Sequence, residues 1–287
     1  MTADNKLKAW IRRDHPLFWS LLNKRAQMTL PKGLIEYIDV GPSSDLTTLE
    51  RYLAELKTLC GWKAVGDNYR KSLSGVDSHS RLTELFCEIA LCASVGRLSG
   101  KLQLHPPTGK GTYSDCLFYV DSYEVYGETK RYIDPWPHIE KPGDVGNDNV
   151  LYMRSIAERA SNEKPYDTAR CRSMDLKSKL CDVHRQFPER RFNILFIFHS
   201  SLGNAERYMT QALFGDSNFF STGDDIILES DGLFSIEEWR NISACCLARV
   251  NPDSKVIYPF TWKNPRALTE IPGRVLEALG VGFKMKA

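Results

Sequence analysis

The chain has 287 residues, 42% of them hydrophobic, and its 38 basic and 36 acidic residues give a formal net charge of +2. That length holds one large domain or two small ones. The near balance of charge excludes an acidic tail or a histone-like basic protein, while leaving room for a local basic face. The opening stretch MTADNKLKAWIRRDH has no apolar signal region, and no run approaches eighteen apolar residues, so the expectation is a soluble, cytoplasmic protein with no membrane partner. The eight cysteines include no Cys-x-x-Cys pair and fall mostly in apolar periodic runs, which reads as reduced core thiols.

Taken in chain order, the first eighty residues read as helical. PLFWSLLNKRAQM opens with Pro16 at a first helical position. In SDLTTLERYLAELKTLCG, Leu46, Leu49, Leu53 and Leu56 form one stripe, Thr47 and Glu50 fit a capping box, and Gly61 fits the exit. KSLSGVDSHS is polar and turn-prone, so the expected division is a helical region over 1–78 and a second domain over 79–287. SRLTELFCEIALCASVG follows as a helix with Leu82, Leu85, Phe86, Ile89 and Ala93 inward and Gly96 ending it. KLQLH is a short strand, and the glycine-rich PPTGKG leads into a hairpin. Residues 135–147 read as an ordered loop, followed by helices over about 148–160 and 168–186. RFNILFIF has the apolar density of a buried strand. The last third offers GNAERYMTQALFG and SIEEWRNISACCLARV as helices, the second with Ser235 and Glu238 as a capping box. KVIYPFTW is then a strand and PGRVLEALG a helix. The order indicates an α/β protein with a mixed central sheet flanked by helices and a helical N-terminal portion.

The hairpin carries the chemistry. CLFYV and the segment after Asp121-Ser122 pair as antiparallel strands in either of two registers. A two-residue loop sets Asp115 opposite Glu128, and a four-residue loop sets it opposite Lys130. Both have the same parity, so Asp115, Glu128 and Lys130 share one face. Directly opposed carboxylates, with Cβ atoms roughly 4.5–5.5 Å apart, repel unless a cation lies between them. Acid-x-Lys occurs five times in the chain, but only Glu128–Thr129–Lys130 lies in a strand behind another acid-bearing strand.

This arrangement resembles the PD-(D/E)XK nuclease superfamily: a helix bearing Glu, a hairpin with Asp then Glu-x-Lys, a helix and a further strand. RLTELFCEIALCASVG, SDCLFYV, YGETKRY, KSKLCDVHRQF and NILFIF occur here in that order, over about residues 80–200. The resemblance implies a restriction-endonuclease-like core in which Glu84, Asp115 and Glu128 hold Mg²⁺ or Mn²⁺ with the Thr129 carbonyl, while Lys130 orients the attacking water. Glu84 is chosen because it lies twelve residues before Gly96, and Glu88, one turn on, is the second choice. Lys179 and Gln186 are candidates for a polar residue on the following helix. Ser114 stands where the family often has proline. The implied activity is metal-dependent phosphodiester hydrolysis with nucleic acid as partner, DNA first, and a homodimer is left open.

Against this stand a solvated sheet face with an ordinary Glu–Lys pair and, as a second functional class, a non-catalytic nucleic-acid-binding or scaffold protein that keeps the fold. Lys101, Lys110 and Arg131 suit phosphate contacts, and Tyr113, Tyr126, Tyr132 and Trp136 suit base stacking, though surface or core roles account for each. GKGT lacks the spacing of a phosphate loop. Cys181 and His184 lack a second pair for zinc. FTWKNPRALTEIP suggests no chemistry beyond a turn at Asn264-Pro265.

Overall fold

The computed structural model describes residues 3–40, 44–132, 165–199, 205–219, 225–251, 253 and 255–280. The expected loop over 135–147 and helix over 148–160 lie outside these. An N-terminal helical layer comprises α1 (Ala3–Asp14), α2 (Pro16–Leu21), α3 (Lys24–Met28), α4 (Lys32–Val40), α5 (Ser44–Cys60) and α6 (Trp62–Ser74). The long α7 (His79–Ser99) follows, then β1 (Leu102–Leu104), β2 (Cys116–Val120) and β3 (Tyr123–Tyr132). Next come α8 (Pro165–Leu180), β4 (Phe192–His199), α9 (Ala205–Phe214), β5 (Ala244–Val250), β6 (Val256–Lys263) and α10 (Gly273–Ala278). The six strands form one mixed sheet in chain order, so the α/β class is as expected. β3, β4 and β5 are mutually parallel, while β1–β2, β2–β3 and β5–β6 are antiparallel.

Alternation along the strands sends side chains to two cores. Ile194, Phe196 and Phe198 of β4 join α7 and the N-terminal helices on one face. Leu195 and Ile197 join α8 and α9 on the other. Helices α1–α6 belong to the same buried cluster as α7 and the sheet, so the hydrophobic core does not divide at residue 78. The expected linker is mostly absorbed: α6 runs to Ser74, and Ser78 caps α7 by accepting from the Arg81 N–H. No helix among the described residues is long and apolar enough to cross a membrane.

Several expectations are corrected. The helix expected over 16–28 breaks at Leu22 and restarts behind Asn23, whose side chain accepts from the Ala26 N–H at 2.9 Å. Thr47 and Glu50 form no capping box, because α5 already begins at Ser44. Glu50 instead accepts from the free N–H groups of Leu17 and Phe18 at the start of α2, at 2.7 and 2.9 Å. Gly96 does not end α7; the helix continues one turn to a left-handed Gly100 (φ 63°). A Cβ at Gly96 would sit 2.7 Å from Leu59 Cδ1, so glycine there lets α7 approach α5. SIEEWRNISACCLARV is not a helix: two short 3-10 turns precede β5, whose residues Ala244–Ala248 are all buried. A strand buried on both faces reads as a continuous apolar run, and such a run fits a buried helix equally well.

Candidate functional site

The turn between β2 and β3 is the two-residue one: Val120 pairs with Tyr123, and Asp121 adopts φ 53°. The ladder runs back to Cys116–Gly127 and stops. Beyond it the acids take over the pairing. Glu128 Oε2 accepts from the Asp115 N–H at 3.2 Å, and Asp115 Oδ2 accepts from the Thr129 N–H at 2.6 Å. Lys130, two residues on and on the same face, donates from Nζ to Glu128 Oε1 at 2.8 Å. Asp115, Glu128 and Lys130 are thus joined by hydrogen bonds at the end of the hairpin, with Asp115 just outside the ladder.

The helix acid that lies beside Asp115 is Glu88. Residues 85–96 of α7 are buried except Glu88, which keeps partial exposure in a stretch otherwise buried on every side. Its Oε1 lies 2.7 Å from Nε2 of His105, and ligand atoms of Glu88, His105 and Asp115 all fall within 4.8 Å of one another. Glu84 is placed elsewhere: it pairs with Arg81 at 2.9 Å on the outer part of the helix. The cause is the helix terminus, since the spacing of twelve counted back from the true end at Gly100 reaches Glu88, one turn beyond Glu84.

His105 carries no sequence signal beyond its place before Pro106-Pro107. Its backbone (φ 44°) turns the chain out of β1, and its N–H donates to the Asp115 carbonyl at 3.0 Å. That bond holds the two ends of the 105–115 segment beside the middle of α7, at Glu88 and Cys92, with Tyr69 edge-on to the imidazole. A cavity of about 470 Å³ opens over His105 and Asp115, walled by Asn68 and Tyr113.

Burial dominates the electrostatics. It pushes the Asp115 carboxyl well above the usual carboxylate range, with Glu88 and Glu128 adding like charge and the Thr129 N–H opposing. Glu128, 2% exposed, is raised to about 7 by burial against the pull of Lys130. Burial alone would lower His105, but the hydrogen-bonded Glu88 carboxylate, with Glu128 beyond, raises it. Carboxyl groups crowded this closely are relieved of like charge by taking up a proton or by sharing a cation.

The other candidates fall outside this cluster. Lys179 pairs with Asp175 at 2.8 Å and lies over the Tyr132 ring. The Gln186 main-chain carbonyl accepts from the Ser114 hydroxyl, so Ser114 ties the hairpin to the turn after α8. Lys110 pairs with Glu189 at 3.0 Å. His184 Nδ1 contacts the Cys181 carbonyl at 2.9 Å within the turn closing α8, and no zinc-like group forms with it among the described residues. Asn264 is structural: its amide donates to the Trp239 and Ile242 carbonyls, and its Oδ1 accepts from the Arg266 N–H. Trp136 lies outside the described residues. Comparison with protein-family models, with curated proteins and with solved structures gives no match.

Proposed function

We propose that the chain is a metal-dependent nuclease of the PD-(D/E)XK type, hydrolysing phosphodiester bonds in nucleic acid, with DNA as the first candidate substrate. The observation that carries the reading is the junction where the β2–β3 ladder ends: two facing acids, a lysine on Glu128, and Glu88 opposite from α7. The order helix, three strands, helix, strand from α7 to β4 also supports a restriction-endonuclease-like core.

The residues fit a divalent ion. Glu88 and Asp115 offer carboxylate oxygens and His105 an imidazole nitrogen, within 4.8 Å of one another, and His105 and Asp115 line the cavity. Carboxylates suit Mg²⁺ and Mn²⁺, and the nitrogen tilts the set toward Mn²⁺. Glu128 completes the charge from beneath, with the Thr129 carbonyl as a further oxygen. Such an ion, when bound, supplies Lewis-acid stabilisation of phosphoryl charge and lowers the pKa of water.

The protein's own groups do the positioning. Glu128 fixes Lys130 through the 2.8 Å bond, which holds an ammonium at the edge of the acid cluster. There the lysine orients an attacking water and offsets the charge that grows on the phosphoryl oxygens, the role in which preorganised donors contribute most. Glu88 holds His105 so that its ring presents toward Asp115. The Glu128 carboxyl, at about 7, is a group that can exchange a proton near neutrality.

Incubation with plasmid, linear duplex and RNA in Mg²⁺, Mn²⁺ or EDTA tests the reading. Metal-dependent cleavage is expected, and Lys130→Ala should reduce it on the order of 10²–10³-fold while leaving substrate binding nearly intact. Equal cleavage by both proteins would show that this site is not the catalyst. Binding without cleavage under any metal would favour the scaffold reading instead.

A further inference from the structure

A second cavity, of about 390 Å³, lies at the carboxyl ends of β3, β4 and β5, where Arg131, Phe198, Arg249 and Val250 meet Phe86 and Cys87 of α7. In open α/β sheets the crevice outside the carboxyl ends of parallel strands is where ligands bind. These three strands are the parallel part of this sheet. The position and the side chains delivered to it agree.

Both arginines are half-buried. The Arg131 guanidinium reaches the Ser80 carbonyl and hydroxyl at 3.3 and 3.5 Å, and no carboxylate among the described residues pairs with it. The acid on the nearby turn of α7, Glu84, is taken by Arg81. The Arg249 side chain makes no ion pair or hydrogen bond among the described residues. It sits where the β5–β6 register shifts between Leu247 and Arg249, and a bulge of this kind re-aims a side chain. Two half-buried guanidinium groups around one cavity with no carboxylate between them leave their charge available to an anion. The guanidinium fork matches phosphate oxygens in bidentate geometry, and the phenylalanine walls strengthen such a contact by excluding water.

We infer that Arg131 and Arg249 form a phosphate-binding site at the carboxyl end of the sheet, separate from the acid cluster. The phosphate belongs either to the backbone of a nucleic-acid strand crossing this edge or to a free mononucleotide. Only the first source rests on the nuclease reading. In that case β3 itself couples the sites, because Lys130 and Arg131 are consecutive and project to opposite faces of one strand, so a phosphate held by Arg131 sets the position of the strand over Lys130.

The test is run in EDTA, where hydrolysis is stopped. Anisotropy of a labelled single strand and calorimetry with AMP are compared for wild type, Arg131→Gln/Arg249→Gln and Arg249→Lys. The double variant should bind the phosphate-bearing probe about tenfold or more weakly. For a strand contact, the slope of log affinity on log salt should also fall by about one. Arg249→Lys should keep an intermediate affinity, since the charge stays and the fork is lost. Loss of AMP binding assigns the mononucleotide source, and loss of strand binding alone assigns the backbone source. The inference is overturned if the double variant, melting as wild type does, binds every probe equally well, or if wild type binds none. Should the double variant not fold, Arg249→Gln alone is read by the same criteria. A wild type that binds these probes through the arginines yet cuts nothing would sink the nuclease reading and leave this site standing.

Discussion

Glu128→Gln perturbs the charge of the acid cluster while keeping the shape of the side chain. Glu128 is 2% exposed, and burial raises its carboxyl from 4.5 to about 7, Lys130 opposing and Glu88 assisting. An acid with its folded pKa above its unfolded one binds more protons folded than unfolded between those values. The stability this gives is full below the unfolded pKa and is lost as pH rises through the folded one. For a carboxyl moved from 4.5 to about 7, that loss is roughly 3 kcal/mol at most. Glutamine is neutral throughout and escapes it. In urea unfolding with EDTA, wild type should therefore fall relative to the variant by roughly 1–3 kcal/mol between about pH 5 and about pH 8. Adding Mn²⁺ at pH 8 should move the balance back, since a ligand at a hundredfold excess over its Kd stabilises the native state by about 2.7 kcal/mol. Stability–pH curves that run parallel for the two proteins in EDTA would refute the reasoning, because Glu128 would then ionise as a solvated acid does.

Glu88→Gln should cut metal-dependent cleavage by about a hundredfold, whereas Glu84→Gln, losing only an exposed pair with Arg81, should leave rate and melting temperature nearly unchanged. Steady-state assays of the two side by side decide which acid faces the site. His105→Gln removes the one nitrogen from the cluster and should weaken Mn²⁺ affinity by about tenfold more than Mg²⁺ affinity, read by metal titration of the melting temperature. An equal loss for both ions would argue that the ring only props Glu88. Gly127→Ala places a Cβ 2.8 Å from Cys116 Sγ and 3.3 Å from Phe196 Cε2, in the last rung before Asp115. It should cost roughly 1–3 kcal/mol in chemical denaturation, and unchanged stability would mean that the rung is looser than its contacts indicate.

The hairpin was legible because its geometry is local. A strand has a period of two and a short turn fixes parity, so either register gathers Asp115, Glu128 and Lys130 on one face. β4 and β6 were legible for similar reasons, being apolar runs bounded by turn residues. The helix acid was misplaced by one turn because a glycine inside a helix looks like a helix end until its neighbour is known. At Gly96 that neighbour is Leu59, 37 residues earlier in the chain. A usable signal was present in LFCEIALCASVG, a lone acid in an apolar stretch, which needs a partner wherever the helix is buried on all sides.

The sequence by itself determined the α/β class, the acid-bearing hairpin and the shared face of Glu128 and Lys130, all set by spacings of a few residues. Tertiary structure decided the rest. Only packing shows that ISACCLARV is a central strand, since five consecutive buried residues satisfy a strand or a buried helix alike. Only packing turns Glu88 toward Asp115 and lays His105 beside them, because those three residues come from a helix, the exit of β1 and the start of β2. Their distances depend on how α7 settles between the sheet and the N-terminal helices, and that is fixed by contacts between parts of the chain far apart in sequence.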